Sequence, residues 1–258
     1  MRTTVVIPTY NERDTLSMLV EQLLALPRSD LNVLVVDDGS PDGTGTLANA
    51  LARRHPERVA VLHRARKEGL GRAYIAGFDR ARQDGADIIV EMDGDLSHDP
   101  AELPRLLDAT AHADVVLGSR YVQGGSVVNW DMRRRAISRL GNWYARLVLA
   151  MPVHDLTSGY KAFRRNVLEA VDYHRAHSVG YNFQIELTVL AARRGFRIVE
   201  VPIRFTERRA GRSKFQKRMM LESFWKILLL RLRTPAVKSS NDTGNAPPAR
   251  PTASPQAR

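Results

Sequence analysis

The stretch Ile88-Ile89-Val90-Glu91-Met92-Asp93-Gly94-Asp95-Leu96-Ser97-His98-Asp99-Pro100 decides the fold. Its apolar opening, Ile88 to Val90, predicts a buried strand. The run gives out at two carboxylates one small residue apart, and Pro100 then begins a helical pattern. In an open α/β sheet, ligands gather beyond the carboxyl ends of the strands, which is where Asp93 and Asp95 would stand. Hard divalent cations favour carboxylate oxygens, and Mg²⁺ is usually held by one or two of them together with substrate phosphates. The pair therefore points to a cation and a nucleoside diphosphate; the competing reading is a turn in which Asp side chains bond their own backbone.

Outward from this stretch the same unit recurs. Thr3 to Ile7 is a β-branched run stopped by Pro8, and Leu16, Leu19, Val20, Leu23 and Leu24 then follow at helical spacing. Val33 to Val36 is a second strand, and Asp37-Asp38-Gly39-Ser40-Pro41-Asp42-Gly43-Thr44 is a turn-rich loop before a helix through Ala48 and Leu51. Val59 to Leu62 predicts a third strand, with a helix through Ala73, Ala76 and Phe78 opened by Gly69-Leu70-Gly71. Asp114 to Gly118 predicts a further strand, ending in Ser119-Arg120. Strands alternating with helices imply an α/β fold, a mostly parallel doubly wound sheet flanked by helices. Later come helical patterns through Leu140, Trp143, Leu147 and Val148 and over Phe183 to Ala192. Ile198 to Phe205 reads as a late strand that Pro202 confines to an edge, and Met219 to Leu232 as a C-terminal amphipathic helix. Residues 234–258, rich in Pro, Ala, Ser, Thr and Asn, read as a disordered tail.

The chain of 258 residues, 43% hydrophobic, can bury one substantial core. A formal charge of +11 predicts an anionic partner: nucleic acid, acidic lipid headgroups or a phosphorylated substrate. The absence of cysteine excludes disulfides and thiolate metal sites and fits a reducing cytoplasm. No signal peptide precedes the first strand and no run of about 18 apolar residues occurs, so a soluble or peripheral protein is expected.

Glu12, the pair Asp37 and Asp38, and the pair Asp93 and Asp95 all fall at or just past the ends of different strands. In a doubly wound sheet those loops share one rim. Taken singly, each has an ordinary explanation in turn chemistry or helix-start acidity. The loop after the first strand, Pro8-Thr9-Tyr10-Asn11-Glu12, contains no glycine, so the dinucleotide fingerprint is absent, as is a Walker A loop.

Together, Val6-Ile7-Pro8-Thr9-Tyr10-Asn11-Glu12, Val36-Asp37-Asp38-Gly39-Ser40-Pro41-Asp42-Gly43-Thr44, Met92-Asp93-Gly94-Asp95-Leu96-Ser97-His98 and Gly118-Ser119-Arg120-Tyr121 resemble the dolichyl- or polyprenyl-phosphate mannosyltransferases. The likeness continues through Trp130-Asp131 with Arg133 to Ser138, then Asp155-Leu156-Thr157-Ser158-Gly159. It ends with Tyr181, Phe183, Gln184 and Glu186, and Arg208 with Gly211 to Lys214, and so spans about residues 1–232. It implies a glycosyltransferase A-type fold and metal-dependent, inverting transfer of mannose from GDP-mannose to polyprenyl phosphate. The catalytic domain would be residues 1–233, a donor half up to about residue 120 and an acceptor half from there on. Carried over by position, Pro8, Tyr10, Glu12, Val36, Asp37 and Asp38 would serve the donor guanosine, with Met92 and Gly94 beside it. Asp93 and Asp95 would bind Mg²⁺ or Mn²⁺, with Ser97 a weak third ligand where some relatives carry Gln. Arg120, which also faces the donor, Arg134 and Ser138 would hold the acceptor phosphate and with Asp95 form the catalytic set; Arg208 and Lys214 would close over the donor.

The chemistry is consistent with this. A lipid phosphate is an anion at neutral pH and needs positioning rather than a general base. Arginine forks and a cation offset its repulsion from the diphosphate. No catalytic histidine is therefore expected, and His98, His154 and His177 read as solvated or structural. Residues 133–146 carry five arginines and no acid, and residues 204–218 carry seven basic residues against Glu207. With Met219 to Leu230 following, either an interfacial helix or ordinary core packing fits. The expected location is the cytoplasmic face of the membrane, as a peripheral protein, with a transmembrane partner protein a further expectation. Two other readings are a UDP-glucose-dependent polyprenyl-phosphate glucosyltransferase and a basic nucleic-acid-binding protein. The second lacks recognition motifs, so no nucleic-acid partner is expected.

Overall fold

A computed structural model describes residues 1–176, 181–207 and 217–234. In chain order they form β1 (Thr3–Thr9), α1 (Arg13–Leu24), β2 (Leu31–Asp37), α2 (Thr44–Arg54), β3 (Val59–His63), α3 (Leu70–Gln83) and β4 (Ile88–Glu91). Then come α4 (Leu103–Ala109), β5 (Val115–Ser119), β6 (Ser126–Val128), α5 (Met132–Leu149), β7 (Lys161–Arg164) and α6 (Arg165–Ala170). The last elements are α7 (Tyr181–Arg193), β8 (Ile198–Pro202), β9 (Arg204–Thr206) and α8 (Lys217–Arg233).

Seven strands make one sheet in the order β3-β2-β1-β4-β7-β5-β8. All its pairings are parallel except those of β7, which runs antiparallel to both β4 and β5. Side chains alternate across the sheet, as the two-residue period of a strand requires. Val5, Ile7, Val33, Val35 and Val90 pack with Leu16, Leu19, Val20 and Leu103 on one side. Val6, Leu34, Val36 and Ile89 pack with Ala73, Tyr74, Phe78, Phe163 and Phe183 on the other. Both faces are covered, which is why the central strands read as unbroken apolar runs. Helix α3 approaches the sheet closely at Gly77, where a Cβ would stand 2.3 Å from a Val6 methyl.

Three details depart from the sequence expectation. Strand β1 continues through Pro8 to Thr9, because its ladder with β4 ends before Pro8 and only the β2 side is still paired there. The late strand is two: β8 lies at the sheet edge, as Pro202 suggested, whereas β9 leaves it to pair with β6 in a separate two-stranded ribbon. Neither β6 nor β7 is foreshadowed, each being shorter than a legible alternation. Arg208, Lys214, His177 and residues 235–258, including nearly all of the expected tail, lie outside the described residues.

Candidate active site

Strands β2, β1 and β4 are neighbours, so the loops at their carboxyl ends meet. Asp38 N donates to Thr9 O at 3.0 Å, Glu12 N donates to Thr44 Oγ1 at 3.0 Å, and Thr15 Oγ1 donates to Gly94 O at 2.7 Å. The last bond pins the start of α1 to the Asp93-Gly94-Asp95 loop, and Gly94 leaves room for it: a Cβ there would touch Thr9, Glu12 and Ile7. Asp37 does what the turn reading expected, accepting from Ser40 Oγ at 2.6 Å and from Thr9 Oγ1 at 3.4 Å. Asp37 therefore holds the loop, while Asp38 pairs with Arg64 and the Lys67 ammonium lies 3.6 Å over the Tyr10 ring. Val36 and Met92 are fully buried core side chains; the Val36 backbone is paired in register with Pro8 and Leu62, and Met92 N donates to Val6 O at 3.2 Å.

The metal-binding expectation for Asp93 and Asp95 has a built context. Tyr74 Oη donates to Asp93 Oδ1 at 3.4 Å, and burial, reinforced by the neighbouring Asp93 and Glu91 carboxylates, pushes that phenol well above its usual range, so it remains a donor. Asp93 N donates to His98 Nδ1 at 3.3 Å. His98 is buried, stacked on Tyr160 and edge-on to Phe205, and burial lowers it to about 4. A neutral ring accepting at Nδ1 carries its proton on Nε2; His98 is structural, and not solvated. Ser97 N donates to Asp95 Oδ1 at 3.0 Å, while the buried Ser97 Oγ meets no hydrogen-bond partner. Among the described residues no cluster of three or more His, Cys, Asp or Glu side chains could hold a metal. Two carboxylates plus an orphaned hydroxyl nonetheless fit a Mg²⁺- or Mn²⁺-type site that takes its remaining ligands from a diphosphate.

Across from these carboxylates stands Arg120, at the end of β5. Asp155 grips it through Nε at 2.7 Å, Nη2 at 2.6 Å and the Arg120 backbone N at 3.0 Å, and Thr157 Oγ1 accepts from Nη2 at 2.8 Å. Burial would raise the Asp155 carboxyl, but the charge and hydrogen bonds of Arg120 hold it below its usual range. The Asp155 and His154 backbone amides donate to Glu200, at 2.9 and 2.8 Å, so the pair is anchored on β8. His154 is half-exposed and bonded to the same Glu200.

Arg134 occupies the first turn of α5, whose N-terminus Asp131 caps by accepting from Arg134 N at 2.7 Å. Its guanidinium lies 4.2 Å over the Trp130 ring and pairs with Glu207. One turn on, Ser138 Oγ accepts from Tyr121 Oη at 2.7 Å. The segment after β8 joins the two sides: Thr206 N donates to Ser97 O at 3.1 Å, Glu207 N donates to Val128 O at 3.2 Å, and Phe205 bridges to His98.

A single cavity of about 520 Å³ contains both sides, lined by Asp93, Asp95 and Ser97 at one part and Arg120, Arg134 and Ser138 at another. Its wall continues over Ile137, Leu140, Trp143, Tyr144, Phe224 and Ile227, where α5 packs on α8 with Tyr144 and Phe224 stacked 4.1 Å apart. Pro8, near the end of β1, and Tyr10, Glu12 and Asp38, on the loops after β1 and β2, lie outside that lining. Helix α8 packs only part of its apolar face against the core: Ile227 and Leu230 are buried, whereas Trp225 and Leu232 are 64% and 78% exposed. Leu140, Trp143 and Leu147 of α5 are likewise exposed. No helix among the described residues is long and apolar enough to cross a membrane.

Sequence reasoning missed Tyr74, and it quoted Asp155, Thr157 and Gln184 without giving them a role. These residues act through partners 19 to 37 positions away, or through none, so local spacing carries no trace of them.

Residues 4–172 match the family described as Glycosyl transferase family 2. The chain is 52% identical over 228 residues to a polyprenol monophosphomannose synthase of Mycolicibacterium smegmatis, covering 88% of this chain and 85% of that one. It is 51% identical over 215 residues to an undecaprenyl-phosphate mannosyltransferase of Micrococcus luteus, covering 83% and 87%. Among solved structures, glucosyl-3-phosphoglycerate synthase of Mycobacterium tuberculosis with Mn²⁺, UDP and phosphoglyceric acid superposes with a TM-score of 0.66 at 21% identity, over 93% of this chain and 80% of that one. The mannosyltransferase PcManGT of Pyrobaculum calidifontis, in complex with GDP-Man and Mn²⁺, gives 0.62 at 19% identity, over 96% and 66%. Likeness at that level speaks for the fold, a glycosyltransferase A-type sheet as expected.

Proposed function

The chain belongs to glycosyl transferase family 2, and from that premise we propose that it transfers mannose from GDP-mannose to a polyprenyl phosphate, inverting the anomeric centre and releasing GDP. Two mannosyltransferase relatives at about half identity support this reading. The observation that carries it is the shared cavity, where paired carboxylates face arginines and an apolar wall leads away.

The division of labour follows the chemistry of each part. Tyr10, Glu12, Pro8 and Asp38 surround the guanosine, Asp37 shapes their loop, Gly94 contributes backbone, and Val36 and Met92 support the donor loops from the core. Asp93 and Asp95, with Ser97 Oγ beside them, would hold Mg²⁺ or Mn²⁺, a charge that neutralises the diphosphate and the departing GDP. Arg120, Arg134 and Ser138 orient the acceptor phosphate, an oxygen of which attacks the anomeric carbon as the bond to GDP breaks on the opposite face. The attacking oxygen is already ionised, so no side chain must remove a proton, in keeping with a His98 ring occupied by the Asp93 amide. Residues 1–120 would serve mainly the donor and 121–233 mainly the acceptor, with Arg208 and Lys214, which lie outside the described residues, as donor-binding exceptions in the second half.

The exposed Trp143, Leu147, Trp225 and Leu232, set among Arg139, Arg146 and Arg233, form a face suited to the anionic headgroup layer, where the lipid acceptor resides. We infer from this face a peripheral protein on the cytoplasmic leaflet, with a membrane-spanning partner sharing the same face.

The test is to incubate the purified chain with GDP-mannose or UDP-glucose, polyprenyl phosphate and a divalent cation, with and without a chelator. A mannosyl phosphoprenol and GDP, formed from GDP-mannose alone and lost with chelator, is the expected result. A glucosyl product from UDP-glucose would overturn the donor assignment.

A further inference from the structure

We propose that Gln184 reads a hydroxyl of the sugar being transferred and so helps to set which hexose the site accepts, an inference that rests on the glycosyl-transfer reading above. Gln184 lies on α7 and is 1% exposed, yet it lines the cavity together with Asp93, Asp95 and Gly159. Neither its Oε1 nor its Nε2 meets a hydrogen-bond partner. Buried amides in folded proteins are nearly always paired, and one left unpaired destabilises the fold, so this one needs a reason.

The backbone beneath the amide, in contrast, is firmly held. Lys161 Nζ donates to Gln184 O at 2.6 Å, and Thr188 Oγ1 donates to the same oxygen at 2.9 Å. Lys161 stands in register opposite Glu91, two residues before Asp93. The neighbouring Phe183 ring stacks on Tyr74 at 6.3 Å, and Tyr74 is the phenol that donates to Asp93. Thus the backbone that carries Gln184 is tied, through two separate routes, to the strand and loop that would carry the donor diphosphate. Gln184 also stands beside Glu91, whose carboxyl burial pushes up to about 8 while the Lys161 ammonium and, less strongly, the Gln184 amide draw it back toward the ionised form.

The chemistry of the amide selects among the groups that could enter. A carboxamide offers a donor and an acceptor, and a sugar hydroxyl requires one of each. A diphosphate asks only for donors, and a prenyl chain asks for neither. A site built to bond a hydroxyl discriminates strongly against the analogue lacking it, because its own buried groups are then left unpaired.

The test compares the whole chain with Gln184→Met, an unbranched side chain of similar length, and with Gln184→Leu. Each is assayed with GDP-mannose and with its 2-, 3-, 4- and 6-deoxy analogues, alongside binding of GDP alone. In the native protein one deoxy donor should lose about tenfold to a hundredfold in kcat/KM. In either variant that donor and GDP-mannose should fall within about threefold of each other, with GDP affinity and melting temperature unchanged or, for temperature, raised. Retention of the native discrimination against all four analogues would overturn the proposal. So would an equal loss of GDP binding or a lowered melting temperature without loss of discrimination, since either describes a residue that merely supports Glu91. If the native chain uses another nucleotide sugar, the donor reading fails by itself, and deoxy analogues of that sugar put Gln184 to the same test.

Discussion

The two sides of the cavity are built differently. The carboxylate side rests on the ends of three adjacent parallel strands, with hydrogen bonds tying the central β1 loop to the loops on either side of it. The arginine side is assembled from β5, the start of α5 and the segment after β9, and one of its two guanidiniums, Arg134, is held by a partly exposed carboxylate. Rigid sheet ends suit a group that must be fixed before reaction, and a looser rim suits a substrate that arrives from a membrane. Variants that damage one side and spare the other measure how far this contrast extends.

The largest effect is expected from Asp95→Asn, which should lower metal-dependent turnover about a thousandfold, corresponding to several kcal/mol of charge stabilisation. Thermal melting should be unchanged, and full activity without added metal would remove the cation from the mechanism. Next comes Asp155→Ala, which leaves the buried Arg120 without its bidentate partner. Urea unfolding should show a loss of about 3 to 5 kcal/mol. Because the folded Asp155 carboxyl titrates below its unfolded value, its contribution is complete above the unfolded pKa and is lost as pH falls through the folded one. In the variant that part of the acid limb of a stability–pH curve should be flattened.

Arg134→Ala should raise the acceptor KM about tenfold while changing GDP-mannose affinity less than about twofold, since a charged hydrogen bond to phosphate is lost and nothing near the carboxylates moves. Equal losses for both substrates would mean that the two sides are one unit. The smallest change should follow Glu207→Gln, which removes a partly exposed competitor for Arg134. Acceptor KM should fall about threefold at low salt, with the gain diminished at high salt.

The same contrast governs what the amino-acid pattern could disclose. The β1, β2 and β4 units were legible because each repeats a complete strand, loop and helix, with the carboxylates falling at the switch from two-residue to helical period. Strand β7 was not, since Lys161-Ala162-Phe163-Arg164 is four residues long and begins with a lysine that is fully buried, its ammonium donating to Gln184 O and Thr188 Oγ1. The apolar faces of α5 and α8 were visible as faces, but periodicity is the same whether such a face meets a core or the outside. Asp93 and Asp95 stand out by spacing, Arg120 by its place at a strand end. Tyr74 and Asp155 become visible only once the chain has folded.

The short ribbon of β6 and β9 has a mechanical implication. Residues 205–207 are fastened to His98 and Ser97 on one flank and to Val128 on the other, so they act as a splint across the gap between the carboxylate loop and the entrance at Arg134. A splint passes on displacement where a hinge would absorb it: a push on Glu207 is felt at Ser97. The Thr206 amide, sitting at the midpoint, is accordingly a natural gauge whose hydrogen-exchange rate should respond to an occupant on either bank.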